Sequence, residues 1–189
     1  MPSSRRSKSE RIPTWVPLLI IAIFFALIWV GTRYGVRLWA VVKIWSQVES
    51  VNEDGVLIQE DTFSCVPCSM SMLMEDEGVE ASPAELAWIA GTDLNGTTPE
   101  GTLRAAEKYG FTVTETEMGF DELMEANFPA LVEFTYRGNL HVVYARPDPD
   151  NHRLVIRNPS EGLAYVYRNG VSEYFSTDRW TVYLFVKNE

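Results

Sequence analysis

The residue types that carry most thiol and imidazole chemistry are scarce in this 189-residue chain, which has two cysteines, Cys65 and Cys68, and two histidines, His141 and His152. Any pairing of a thiol with an imidazole must be drawn from those four. Charge is missing altogether from residues 12–32. Internal repeats and low-complexity segments are also missing, which excludes a solenoid or a compositional linker. Positive charge is thin beyond the N-terminal quarter. Residues 44–189 carry nine Lys/Arg against 25 Asp/Glu, net −16, whereas residues 1–43 carry seven against one, net +6. So acidic a segment repels nucleic acid and anionic lipid, and both are excluded as its partners.

What the chain does have begins with the uncharged run. Its heart, "WVPLLIIAIFFALIWVG", is almost wholly apolar. About 20 helical residues cross a hydrocarbon layer about 30 Å thick. A cleaved signal peptide is the alternative, but its apolar core is about 7–15 residues and a small-residue cleavage site should follow. The length favours an uncleaved transmembrane helix over residues 12–32. The tail before it, residues 1–11, holds Arg5, Arg6, Lys8 and Arg11; Arg33, Arg37 and Lys43 follow the span. The slight excess on the short tail places the N-terminus in the cytoplasm and the rest of the chain outside. Residues 33–55 read as a juxtamembrane linker, with Trp39 and Trp45 interleaved with Arg37 and Lys43. That composition suits a helix at the membrane interface or an ordinary linker helix.

Residues 56–189 then read as one domain that changes period halfway. "SCVPCSMSMLMEDEG" is a helix with Ser64 as cap and Pro67 in its first turn. "SPAELAWIAG" has Ser82, Pro83 and Glu85 in capping-box order, and "TPEGTLRAAEKYG" repeats the device with Thr98 and Pro99. A short strand, "FTVTET", and a short helix around "FDELMEA" follow. From Pro129 onward "ALVEFTY", "LHVVYAR", "RLVIRN", "LAYVYR", "VSEYFS" and "WTVYLFVK" read as strands divided by turn residues. Helices followed by antiparallel strands indicate an α+β fold.

The chemistry centres on "VLIQEDTFSCVPCSMSML". Cys65 falls in the opening turn of its helix, where unpaired amides and the helix dipole favour a thiolate. His141, at the start of an apolar strand, is the candidate base; His152 lies in the polar turn "PDPDNHR" and reads as a surface residue. Pairing "LHVVYAR" with "RLVIRNP" puts Asn158 at the same end of the sheet as His141, where its carbonyl could accept from the imidazole and set its tautomer. Gln59, six residues before Cys65, could offer its amide to an oxyanion together with the Cys65 N–H. Each residue alone has a plain structural reading: a buried thiol, a core histidine, a turn-forming Asn-Pro, a loop glutamine.

Taken in order, these segments resemble the C39 family of papain-like cysteine peptidases. "QEDTFSCVPCSMSML" resembles the start of that domain, "FPALVEFTYRGNLHVVYA" its Pro-Ala strand and His strand, and "LVIRNPSEG" its Asp-Pro turn. "SPAELAWIAGTDLNGTTPEGTLRAAEKYGFTV" is similar to its middle helices. The resemblance implies a papain-like fold, a helical half carrying the Cys helix packed on a C-terminal antiparallel sheet. It implies a thiol protease needing no cofactor or metal, with Cys65 as nucleophile, His141 as base, Asn158 as orienter and Gln59 as oxyanion donor. A peptide or protein is the implied substrate. Asn158 stands where the family commonly has Asp, and Val66 where Gly is usual. No transporter segment follows, so a transporter partner is left open.

Two other readings stay open. A C39-like domain that binds peptides without cleaving them would keep the fold and lose the chemistry. A thiol oxidoreductase would use C-V-P-C itself, but a β-α-β unit should precede that motif and an apolar run does instead. Cys68 has one further reading, as a redox lock that silences Cys65 by forming a disulfide in an oxidising compartment.

Overall fold

The computed structural model describes residues 15–47 and 51–188. The expected basic tail, residues 1–11, lies outside the described residues, as do residues 12–14 of the expected span. The chain divides into a unit ending at Gly35 and a second unit, Val36–Glu189. The first contains most of helix α1 (Trp15–Gln47), in which the segment Leu18–Ser46 is long and apolar enough to cross a membrane. A membrane span and a signal sequence both have that length and composition.

The second unit starts with the last turns of α1 and continues with α2 (Cys65–Asp76), α3 (Pro83–Ala90) and α4 (Pro99–Lys108). Strand β1 (Phe111–Gly119), helix α5 (Phe120–Ala126), and strands β2 (Ala130–Tyr136), β3 (Asn139–Asp148), β4 (Arg153–Asn158) and β5 (Gly162–Tyr167) follow. Helix α6 (Val171–Phe175) and strand β6 (Arg179–Lys187) complete it. The six strands form one antiparallel sheet in the order β1-β6-β2-β3-β4-β5. This is a helical half packed on an antiparallel sheet, as expected.

Local chemistry explains most of the boundaries. Ser82 Oγ accepts from Glu85 N (3.2 Å) and Thr98 Oγ1 from Gly101 N (3.2 Å), each with proline opening the helix. Gly91 ends α3 in the left-handed region at φ 77°. Gly101 is required where α4 meets that end, because a Cβ there would lie 2.3 Å from Ala90 O. The segment "VSEYFS", expected as a strand, is instead helix α6. Its buried residues, Val171 and Phe175, are four apart, a helical rather than an alternating period.

Strand alternation builds a core on each face of the sheet. Leu131, Val142, Tyr144, Tyr183 and Phe185 join α2, α3 and α4 through Met70, Met72, Leu73, Met74, Leu86 and Ala105. Val132, Phe134, Val143, Leu154 and Val182 meet α5 and α6 on the other. Ten of the 12 residues of α2 are buried, so α2 is the central helix of the first core. A third, smaller cluster joins Ala40 and Ile44 of α1 to Phe63, Ala84 and Ala87. The segment expected as a linker thus remains helical to Gln47 and packs on the domain. Arg37 reinforces this, its guanidinium lying over the Trp88 ring and donating to Trp88 O (3.4 Å).

Candidate active site

The turn before α2 is built by a residue the sequence reading overlooked. Ser64 makes no side-chain capping bond. Instead Asp61 Oδ1 accepts from Phe63 N (2.9 Å) and Ser64 N (2.8 Å), an Asx-type turn that sets the start of the helix. Cys65 is therefore the first residue of α2, and it is 8% exposed. Its thiol meets the backbone N–H of Val142, the neighbour of His141, as well as the first-turn amides of Cys65 and Val66. Burial pushes the thiol above its ordinary pKa; those three amides pull it down, and the Asp61 charge adds to the rise. One turn further, Ser69 Oγ donates to Val142 O (3.1 Å) and holds α2 against β3. Cys68 is buried and reduced, and burial pushes its thiol up to about 12.

His141 and Asn158 meet directly, Nε2 to Oδ1, at 2.8 Å. Registering β3 against β4 produces this contact, since Tyr144 faces Arg157 and the next pair brings Asn158 toward the start of β3. The amide orientation follows from its other partners. Oδ1 also accepts from Ser160 N (2.9 Å), while Nδ2 donates to the Tyr174 hydroxyl (3.0 Å) and to Glu161 Oε2 (3.4 Å). An oxygen that accepts from a backbone N–H must face a protonated Nε2, which leaves Nδ1 as the basic nitrogen of the neutral ring. Burial lowers the pKa of His141, and the Asn158 bond and the Glu161 charge work in the opposite direction. Burial, the largest of these influences, favours the neutral imidazole. Phe134 stands edge-on to the ring at 5.7 Å between centroids, and Tyr136 covers it at 5.3 Å.

Gln59 is tied to the same corner through its backbone, whose N–H donates to Pro159 O (2.8 Å). Its side-chain Nε2 donates to Asp61 O (2.6 Å), which leaves the second Nε2 proton for another acceptor. Gln59 and His141 share the wall of one groove of about 290 Å³, along with Asp61, Tyr136, Arg137 and Leu140. Cys65 is not part of that wall, and no described hydrogen bond joins its thiol to the His141 ring; Val142 is the link between them. His152, by contrast, is exposed in the β3–β4 turn at φ 50°. Three residues of this corner, Tyr136, Glu161 and Tyr174, carried no signal in the sequence.

A helical half led by the Cys65 helix and packed on an antiparallel sheet that carries His141 and Asn158 is a papain-like α+β fold. Comparison with known proteins gives that class a family. The Peptidase C39 model matches residues 54–188, and the chain belongs to that family. A protein of Methanothermobacter marburgensis described only as uncharacterized is 26% identical over 135 residues, covering 71% of this chain and 92% of its own length. The lactococcin-G-processing and transport ATP-binding protein LagD of Lactococcus lactis is 27% identical over 139 residues. That match covers 70% of this chain but only 18% of the transporter. Among solved structures, the peptidase domain of Streptococcus ComA, a bifunctional ABC transporter, aligns with a TM-score of 0.58 at 23% identity, covering 70% of this chain and 97% of that one. A double-glycine-motif protease from an AMS/PCAT transporter, solved with its leader peptide, aligns at 0.57 and 18% identity, covering 70% and 91%. Those two likenesses establish the fold.

Proposed function

We propose that the chain is a membrane-anchored cysteine peptidase whose catalytic domain spans residues 56–189. The observation that carries this reading is the His141–Asn158 bond with the Cys65 thiol against the next residue of the same strand. The Cys65 sulfur attacks a peptide carbonyl as its proton passes to His141 Nδ1, and the imidazolium is stabilised by Asn158 Oδ1. The free Nε2 proton of Gln59 and the Cys65 N–H face the developing oxyanion. His141 then gives its proton to the leaving amine. Water, activated by the same imidazole, cleaves the thioester and restores the thiol. Since both groups are neutral at rest, charge separates only on attack. Val66, where the family usually has glycine, adds a side chain beside the nucleophile.

In this reading α1 anchors the domain outside the cytoplasmic face and the substrate is a peptide or protein. The relatives that process and export peptides favour a peptide substrate and a transporter nearby. The test is incubation of the reduced full-length protein with a peptide library read by mass spectrometry. Cleavage by the native chain and none by Cys65→Ser supports the proposal. Peptides that bind both forms equally and are cut by neither would establish the binding-only alternative.

A further inference from the structure

His141 must become a cation during the proposed reaction, yet its orienting partner, Asn158, is neutral. The carboxylate that faces this pair is Glu161, three residues after Asn158. Glu161 Oε2 accepts from Asn158 Nδ2 (3.4 Å), and its Oε1 accepts from the Tyr136 hydroxyl and lies 3.6 Å from Arg137 Nη2. Tyr136 in turn covers the His141 ring, and Tyr174 OH accepts from the same Asn158 nitrogen. Glu161 also fixes itself locally, its N–H donating to Asn158 O (3.1 Å). A chain of contacts thus runs from His141 through Asn158 to Glu161, closed by Tyr136 back onto the imidazole.

Building on the peptidase reading, we infer that Glu161 is a positioning residue that supplies the negative charge Asn158 lacks and holds the Asn158 amide with its oxygen toward His141. Among the described residues, the other charged and titratable groups of this corner are Tyr136 and Arg137 from β2 and its turn, His141 from β3, Tyr174 from α6, and Glu60, Asp61 and Cys65 before and at the head of α2. Arg137 is the only cation in this set besides a protonated His141. It is 77% exposed at its side chain, so solvent screens its opposition to Glu161. Glu161 is itself 43% exposed, which makes its effect on the imidazole moderate rather than large. Asn158, with no exposed surface, transmits the geometric part of the effect without screening.

The test uses the reduced full-length chain in detergent micelles and two readouts. The first is the His141 ring resonance followed against pH, with His152 as the exposed internal reference. Glu161→Gln keeps the shape and removes the charge, so the His141 midpoint moves to lower pH. Glu161→Asp keeps the charge and restores most of the midpoint, while Tyr174→Phe, which removes a neutral hydroxyl, leaves it in place. The second readout is the rate of Cys65 alkylation by iodoacetamide at pH 6. There Glu161→Gln slows labelling roughly three- to tenfold and has no further effect once His141 is alanine. An unmoved His141 midpoint, or an equal slowing with and without His141, overturns the inference. The peptidase reading fails on a different result, namely that His141→Ala in the Glu161-intact chain leaves Cys65 labelling unchanged.

Discussion

The packing of the last turns of α1, from Val36 on, against the rest of the C39 domain yields the sharpest stability prediction. Ile44 is 1% exposed and packs in a cluster with Ala40, Phe63, Ala84 and Ala87. Ile44→Ala removes three carbons, about 2.4 kcal/mol at about 0.8 kcal/mol each. The residual cavity brings the loss to about 3 kcal/mol. With a urea slope of about 2 kcal/mol/M, the unfolding midpoint of the domain falls by roughly 1.5 M. Val42, two residues away and 51% exposed, is the control. Val42→Ala should shift stability by no more than about 0.5 kcal/mol, and alanine is the better helix former. The assay is urea unfolding of the full-length chain in micelles, read by near-ultraviolet circular dichroism, with buried Trp180 reporting the domain core. Equal shifts for the two substitutions, or none for Ile44→Ala, would show that the last turns of α1 do not pack on this domain. The consequence for the site is direct, because Phe63 lies two residues before Cys65 and within the Asp61 turn.

Other expectations follow from named contacts. Gly101→Ala would drive a Cβ into Ala90 O and should cost at least about 2 kcal/mol of stability by thermal unfolding, far more than the same change at Gly35, which meets nothing within 4 Å. Asp76 accepts from Tyr144 OH (2.8 Å) and Arg157 Nη1 (2.9 Å), so Asp76→Ala leaves both without an acceptor and should cost about 1–3 kcal/mol; Tyr144→Phe in the Asp76→Ala background should recover part of it. Since burial lowers the His141 pKa, the unfolded chain binds a proton that the folded chain resists. The stability contribution is therefore present above the unfolded value of about 6.5 and is lost as pH falls through it toward the lowered folded value. His141→Gln should flatten the dependence of unfolding free energy on pH across that window. Oxidation to a Cys65–Cys68 bridge should abolish alkylation of Cys65 until a reductant is added; labelling that persists with the bridge formed would dismiss the redox lock.

Where local chemistry dictates structure, the sequence was a good guide. The Ser82-Pro83 and Thr98-Pro99 starts need only residues three apart, and the alternation of β2, β3 and β4 needs only that one face differ from the other. "VSEYFS" misleads because its aromatic and β-branched content outweighs a five-residue helical period that only Val171 and Phe175 reveal. Residues 36–47 are helical, as their composition suggested, but only the folded domain reveals that Ala40 and Ile44, four apart, meet Phe63, Ala84 and Ala87. His141 and Asn158 could be paired because a single hairpin joins them. Tyr136, Glu161 and Tyr174 could not, since they come from the end of β2, the β4–β5 turn and α6 and meet only after the sheet has assembled.

The central claim is that Cys65 is a nucleophile served by His141. It is tested most directly by the relative alkylation rates of Cys65 and Cys68 in the reduced full-length protein, measured by mass spectrometry with and without His141→Ala. The account predicts that Cys65 reacts much faster than Cys68 and loses that advantage without the imidazole. Equal rates at the two thiols, or a Cys65 rate indifferent to His141, would contradict it.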